Sequence, residues 1–221
     1  MERPSLGGMR RVGGEGELEV EAADEQAGTP GGIPVDVERW RELARAALEH
    51  EGVRGAAELS LLFVDVEAIA ALNEQFMGHD GPTDVLSFPI DGDVVASQSA
   101  AGARRPHELG PTRGEPDPGD QPLLLGDVVI CPAVAAANAP RHAGNLDDEL
   151  ALLVVHGILH VLGHDHADPA ERAAMQAKEL ELLEAHHWSG PAPAGFRLDH
   201  ADDETTDTQA DADADADESK A

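Results

Sequence analysis

The sequence has no tyrosine, one cysteine and only six aromatic side chains in 221 residues, so Leu, Val and Ala must fill whatever core it builds. The single thiol, Cys131, excludes an internal disulfide framework and fits a reducing compartment. No run approaches the roughly 18 apolar residues that span a bilayer. The opening stretch "MERPSLGGMRRVGG" carries positive charges with no apolar segment behind them, so no signal peptide is expected. These absences point to a cytoplasmic protein with no membrane partner. Basic residues are also scarce, with 15 Lys and Arg against 44 Asp and Glu and a net charge of −29. The terminal stretch Asp199–Ala221 alone holds ten acids and one Lys, yet residues 33–91 and 122–198 together still carry 22 acids against 8 bases, or −14. Such a surface is a poor electrostatic match for nucleic acid, where cationic side chains usually supply most of the affinity, and DNA is not expected as a partner.

The length suits one domain with appendages. Residues 1–15 read as a flexible N-terminus, 16–198 as a single domain, and 199–221 as a disordered acidic tail too poor in apolar residues to fold. Within the domain, 92–121 is rich in Pro, Gly, Ser and Ala without a sustained apolar period, and reads as a flexible loop insertion. The remainder alternates. "GELEVEAAD" has the period of a strand, and "DVERWRELARAALEH" places Val37, Trp40, Leu43, Ala44, Ala47 and Leu48 at helical spacing behind Asp36 as N-cap. "ELSLLFVD" reads as a strand, "VEAIAALNEQFM" as a helix, "TDVLSFPI" as a short strand, and "PLLLGDVVICP" as a strand followed by a short Ala-rich helix. Two further helices flank a histidine cluster, the second starting at "DPAE" (168–171) with Asp168 as N-cap. The expected fold class is α+β, a small mixed β-sheet packed with helices, with a metal site on a helix-turn segment.

That cluster, "HGILHVLGHDH" (156–166), packs four of the eleven histidines beside the apolar run "ALLVV". The segment "NLDDELALLVVHGILHVLG" predicts one helix, capped by Asn145 or Asp147 and stopped at Gly163. His156 and His160 then project from one face about one turn apart, where two neutral imidazoles can share a divalent cation. His166 lies beyond the glycine, able to approach from another direction. The spacing H-x-x-x-H-x-x-G-x-x-H is that of the metzincin zinc signature, with His156, His160 and His166 as ligands. His164 and Cys131 are the other side chains able to close a fourth position. An open three-histidine site is the preferred reading. Metzincins carry Glu, the general base, directly after the first His; here that residue is Gly157, which disfavours peptide hydrolysis. The only carboxylate inside the motif is Asp165, expected to orient a ligand from outside the metal's own contacts rather than to act as base.

The cluster resembles the H-G-x-L-H-x-x-G-[HY]-D-H signature of the YbeY proteins, bacterial zinc-dependent endoribonucleases of rRNA maturation. "LNEQFMGHDGPTDVLSFP" (72–89) is similar to that family's "LN…PTDVLSFP", and "LLGDVVICP" (124–132) to its "LGDI.I" strand. The blocks run in the family's order over most of 33–188. The resemblance implies an α+β fold, one Zn2+ per chain on His156, His160 and His166, and endonucleolytic hydrolysis of single-stranded RNA. It also implies a role in 3′-end maturation of small-subunit rRNA and in ribosome quality control, with precursor rRNA, small-subunit proteins and assembly factors as partners. His164 falls where the family accepts His or Tyr, which argues against a ligand role. Asp84, Ser87 and Asp127 lie on the shared strand motifs, where turn and strand-end hydrogen bonding is at least as good an account as catalysis. No catalytic residue is assigned.

One departure matters. Many members have Arg after the aromatic of "LN..YR", thought to face the substrate phosphate, whereas here Phe76 is followed by Met77. Arg141 or His142 could contact phosphate instead. The alternative to a nuclease is a non-catalytic, metal-containing ribosome-assembly factor, favoured by Met77 and the acidic charge.

Overall fold

The computed structural model describes residues 17–26, 28–90, 122–166 and 168–198. The expected flexible N-terminus 1–15, the loop insertion 92–121 and the acidic tail 199–221 lie outside them. Four strands, β1 (Leu18–Asp24), β2 (Ala57–Phe63), β3 (Val85–Pro89) and β4 (Leu123–Ile130), form one sheet in the order β1-β2-β4-β3. β1 and β4 run parallel to β2, and β3 returns antiparallel along β4, with Val85 opposite Ile130. The sheet is therefore mixed. A bulge interrupts the β2–β4 ladder, where the partners step from Glu58↔Leu124 to Leu59↔Gly126. Gly126 takes φ +146°, and a Cβ there would lie 2.2 Å from the Phe88 carbonyl oxygen, so only glycine lets β3 approach β4 at this point.

Helices α1 (Val37–His50), α4 (Leu146–Val161) and α5 (Pro169–His186) cover one face of the sheet, α2 (Val66–Leu72) packs on the other, and α3 (Pro132–Asn138) follows β4. The faces separate by strand alternation. Ala57, Leu59, Leu61 and Phe63 of β2 are all fully buried toward α1 and α4, while Leu86 and Val129 join Val64, Ile69 and Cys131 under α2. The caps are the predicted ones: Asp36 accepts from the Arg39 N–H at 3.3 Å, Asn145 from Asp148 at 2.9 Å, and Asp168 from Ala170 and Glu171 at 2.7 and 2.9 Å. The predicted helix over "VEAIAALNEQFM" divides in two, because α2 ends at Leu72 and Asn73–Met77 form a π-helical turn. The buried Asn73 fixes that turn through its amide, which donates to the Gly81 carbonyl at 3.0 Å. Such an inserted residue is invisible to a periodicity argument.

α4 is the central element. Of its sixteen residues thirteen are buried, leaving only Leu146, Asp147 and His160 less covered, so the helix meets solvent near one histidine and at its start. Its N-terminus is tied to the end of α5 by Asp148, which accepts from Asn145 Nδ2 at 2.6 Å, Trp188 Nε1 at 2.7 Å and His187 Nε2 at 2.8 Å. Burial alone would raise this carboxyl, but those three donors outweigh it and hold Asp148 below the usual carboxylate range. Lys178 of α5 binds both oxygens of Glu51, just past α1, at 2.8 and 2.7 Å. No helix among the described residues is long and apolar enough to cross a membrane.

Candidate metal centre

The last two turns of α4 supply His156 and His160, and the chain then reverses through Gly163 at φ +88°. The backbone N–H groups of Leu162, Gly163 and His164 close back onto the carbonyls of Ile158, His160 and Leu159, so the turn is tightly held. The loop returns His166 to the helix face. One ring nitrogen from each of His156, His160 and His166 lies within 4.8 Å of the other two. His156 is only 4 % exposed, whereas His160 and His166 are partly open. The group thus has a buried floor and an accessible side.

Hydrogen bonds fix how the rings face. His160 Nδ1 lies 3.0 Å from the His164 carbonyl oxygen, which can only accept, so Nδ1 carries the proton and Nε2 its lone pair. His156 Nδ1 lies 2.7 Å from Glu179 Oε1, and an ionised carboxylate likewise takes the Nδ1–H. The two Nε2 atoms are then left facing each other at 3.1 Å, both as acceptors. Burial first, and the neighbouring rings of His156 and His166 next, push the His160 pKa down to about 4, so a proton does not bridge that gap at neutral pH. Converging neutral imidazole lone pairs are the donor set that suits a divalent transition metal, zinc among them. The residues present fit such an ion.

The other sequence candidates fall elsewhere. The ring of His164 points to Glu51, with Nε2 3.8 Å from a carboxylate oxygen, and Cys131 is buried between β4 and α3; neither belongs to the three-histidine group. Asp165 accepts from the backbone N–H of His166 at 2.7 Å, so it acts on the turn and not on a ring nitrogen. The ring contact expected of Asp165 is made by Glu179 of α5, a residue the sequence reading missed. Its signal is present: the inward stripe of α5 is Met175, Glu179, Leu182 and Leu183, an acid in an apolar row. Asp84 receives Asn138 Nδ2 at 2.9 Å and so joins β3 to the end of α3, the turn-type role. Asp127 follows the alternation of Val129, on the sheet face away from α4. His142 is turned inward, with Nδ1 3.0 Å from the fully buried Glu149, and so anchors the loop before α4 in place of facing a phosphate. Arg141 stays exposed, as does Met77 on the π-helical turn.

Gly157 explains a structural exclusion. It faces the sheet, and a Cβ built there would lie 2.5 Å from Val128 Cγ1 and 3.2 Å from Ser87 Oγ. The position where a metzincin carries its glutamate is filled here by the sheet itself. A second cluster, Asp147, Asp148 and His187, also brings three donors together, but Arg39 binds both oxygens of Asp147 at 2.6 Å and His187 already donates to Asp148. Its atoms are committed to holding the fold.

Comparison with known proteins identifies the family. The family model described as Endoribonuclease YbeY matches residues 30–187, a span containing every residue of the histidine group. A protein named Endoribonuclease YbeY from Salinispora tropica is 42 % identical over 170 residues, covering 75 % of this chain and 94 % of that one. Its namesake from Thermobifida fusca is 46 % identical over 152 residues, with 69 % and 86 % covered. That of Acidothermus cellulolyticus is 46 % identical over 171 residues, with 76 % and 91 % covered. With matches of this extent on both sides, the chain belongs to the YbeY family.

Proposed function

We propose that this chain is a metal-dependent endoribonuclease that cleaves single-stranded RNA, with zinc held by His156, His160 and His166. The reading places it in 3′-end maturation of small-subunit rRNA and in ribosome quality control, in the cytoplasm, beside small-subunit proteins and assembly factors. The observation that carries it is the convergence of three imidazole nitrogens within 4.8 Å, in a chain of an endoribonuclease family. A zinc ion bound there supplies a nucleophile at neutral pH and offsets charge on phosphoryl oxygens. The protein's own contribution is positional. The His164 carbonyl orients His160, the Asp165 carboxylate fixes the turn that presents His166, and the buried floor under His156 keeps water to one side. Gly157 disfavours the peptidase alternative, because a side chain there would run into Val128.

The test has two parts. Purified protein should carry one zinc per chain, and His156→Ala, His160→Ala and His166→Ala should each lose it while His164→Ala retains it. A fluorescent single-stranded RNA should be cut only without chelator, and casein not at all. Loss of zinc in His164→Ala with retention in His166→Ala would overturn the ligand set. One observation favours a second reading, an assembly factor with weak or no chemistry: the exposed side chain beside Phe76 is Met77, where the family resemblance implies an arginine. A zinc-replete protein inert on both free RNA and pre-ribosomal particles would establish that reading in its place.

A further inference from the structure

Glu179 sits where a helix of this design should have leucine. Met175, Glu179, Leu182 and Leu183 form the buried stripe of α5, and Glu179 is 1 % exposed. Desolvating a carboxylate to that degree is unfavourable unless it is matched by good partners. Its Oε1 meets His156 Nδ1 at 2.7 Å, and His156 is itself among the least exposed polar side chains described. His160 receives different treatment, since its Nδ1–H goes to a neutral peptide carbonyl within its own turn. One ligand is therefore oriented by local backbone and the other by a charged side chain from a separate helix.

We infer that Glu179 is a positioning residue for the three-histidine group. It holds His156 in the Nδ1–H tautomer, so that the Nε2 lone pair faces those of its neighbours, and it gives the buried side of the group a negative charge. This inference rests on the metal-binding reading above. Either acceptor orients the ring and raises its basicity; a carboxylate does so more strongly and its charge also draws a dication toward the group. It also couples the group to α5, whose start is fixed by the Asp168 cap and whose side is tied to Glu51 by Lys178. The register of α5 along α4 thereby becomes a determinant of metal affinity.

The experiment compares full-length wild type, Glu179→Gln and Glu179→Leu. Zinc affinity is read by competition with a chromophoric chelator, and the imidazole N–H signals of the zinc-loaded proteins by nitrogen-15 NMR. Glu179→Leu should weaken zinc by about 10–100-fold and lose the slowly exchanging Nδ1–H signal of His156. Glu179→Gln, whose amide oxygen still accepts that proton, should keep the signal and lose less affinity, which separates orientation from charge. If Glu179→Leu does not fold, a more than twofold loss in Glu179→Gln supports the inference and a smaller one overturns it. Wild type that binds zinc, with both variants equal to it and the signal unchanged, overturns the role of Glu179 alone. Wild type that binds no zinc overturns the metal reading, and this inference with it.

Discussion

Replacing Gly157 with alanine sets two known effects against each other at one atom. In a helix interior, alanine is favoured over glycine by about 0.8–1 kcal/mol, so propensity alone makes Gly157→Ala stabilising. The added methyl, however, would start 2.5 Å from Val128 Cγ1, well inside van der Waals contact. Val128 cannot swing away easily: it is β-branched, fully buried and held in β4 between β2 and β3. Overpacking of this kind costs about 1–3 kcal/mol, so the net expectation is a loss of roughly 0–2 kcal/mol. Urea unfolding of the two proteins reads this directly as a shift in midpoint at unchanged slope. Val128→Ala in the Gly157→Ala background should return part of the loss, as expected for residues in contact. Gly190→Ala, where an added Cβ meets nothing within 4 Å, serves as the neutral comparison. A Gly157→Ala protein more stable than wild type by the full propensity term would refute the claim that the sheet closes this position. Gly157→Glu should not accumulate as folded protein, since it adds a buried charge to the same clash.

Three other outcomes are expected. In metal-free protein the His160 pKa of about 4 lies below the value near 6.5 of the unfolded chain. The unfolded state therefore takes up a proton first, and stability should fall as pH drops from about 6.5 to 4, by up to about 3 kcal/mol for this group; chelator-treated His160→Ala should lose that share of the slope in urea midpoints measured across the window. Deleting Asp199–Ala221 removes −9 of charge, so RNA affinity should rise at low salt and converge with that of the full chain at high salt; filter binding at two ionic strengths checks it. Met77→Arg, at an exposed position, should raise cleavage of single-stranded RNA with zinc content unchanged, and equal rates would remove the phosphate-facing role from this site.

How much of this was legible depended on whether the determinant was local. Asp36, Asn145 and Asp168 announce their helices through short-range hydrogen bonds, and the spacing of His156, His160 and His166 about Gly163 needs only one turn of helix and one reversal. The order of the strands did not follow from the same reading, because β3 pairs with β4 and β1 with β2 through contacts that no local period encodes. The bulge at Gly126 and the π-helical turn are single-residue insertions of the same kind. His142 and Glu179 were misplaced or missed for a related reason. Each is a polar residue whose partner lies on another segment, Glu149 for one and His156 for the other. In an acidic sequence such as "KELELLEAHH", one glutamate in an apolar register is easily counted with its solvated neighbours.

The cations that would meet RNA are correspondingly few. Lys178 is committed to Glu51 and Arg39 to Asp147, the exposed residue after Phe76 is a methionine, and of the two residues considered for phosphate contact only Arg141 stays exposed. Against a segment carrying −14, these leave little side-chain charge with which to draw a polyanion toward the histidines. Phosphate contact through lysine and arginine produces a steep loss of affinity with salt, by counterion release. On the nuclease reading, free RNA should instead be held weakly and with a shallow salt slope. The specificity of cutting would then come from what places a single strand at the three-histidine group. Any surface that presents a strand at high local concentration would fill that role. The acidic charge and the nuclease site are compatible on this view: a chain that grips RNA poorly by itself leaves bulk RNA alone and acts where another surface delivers the strand.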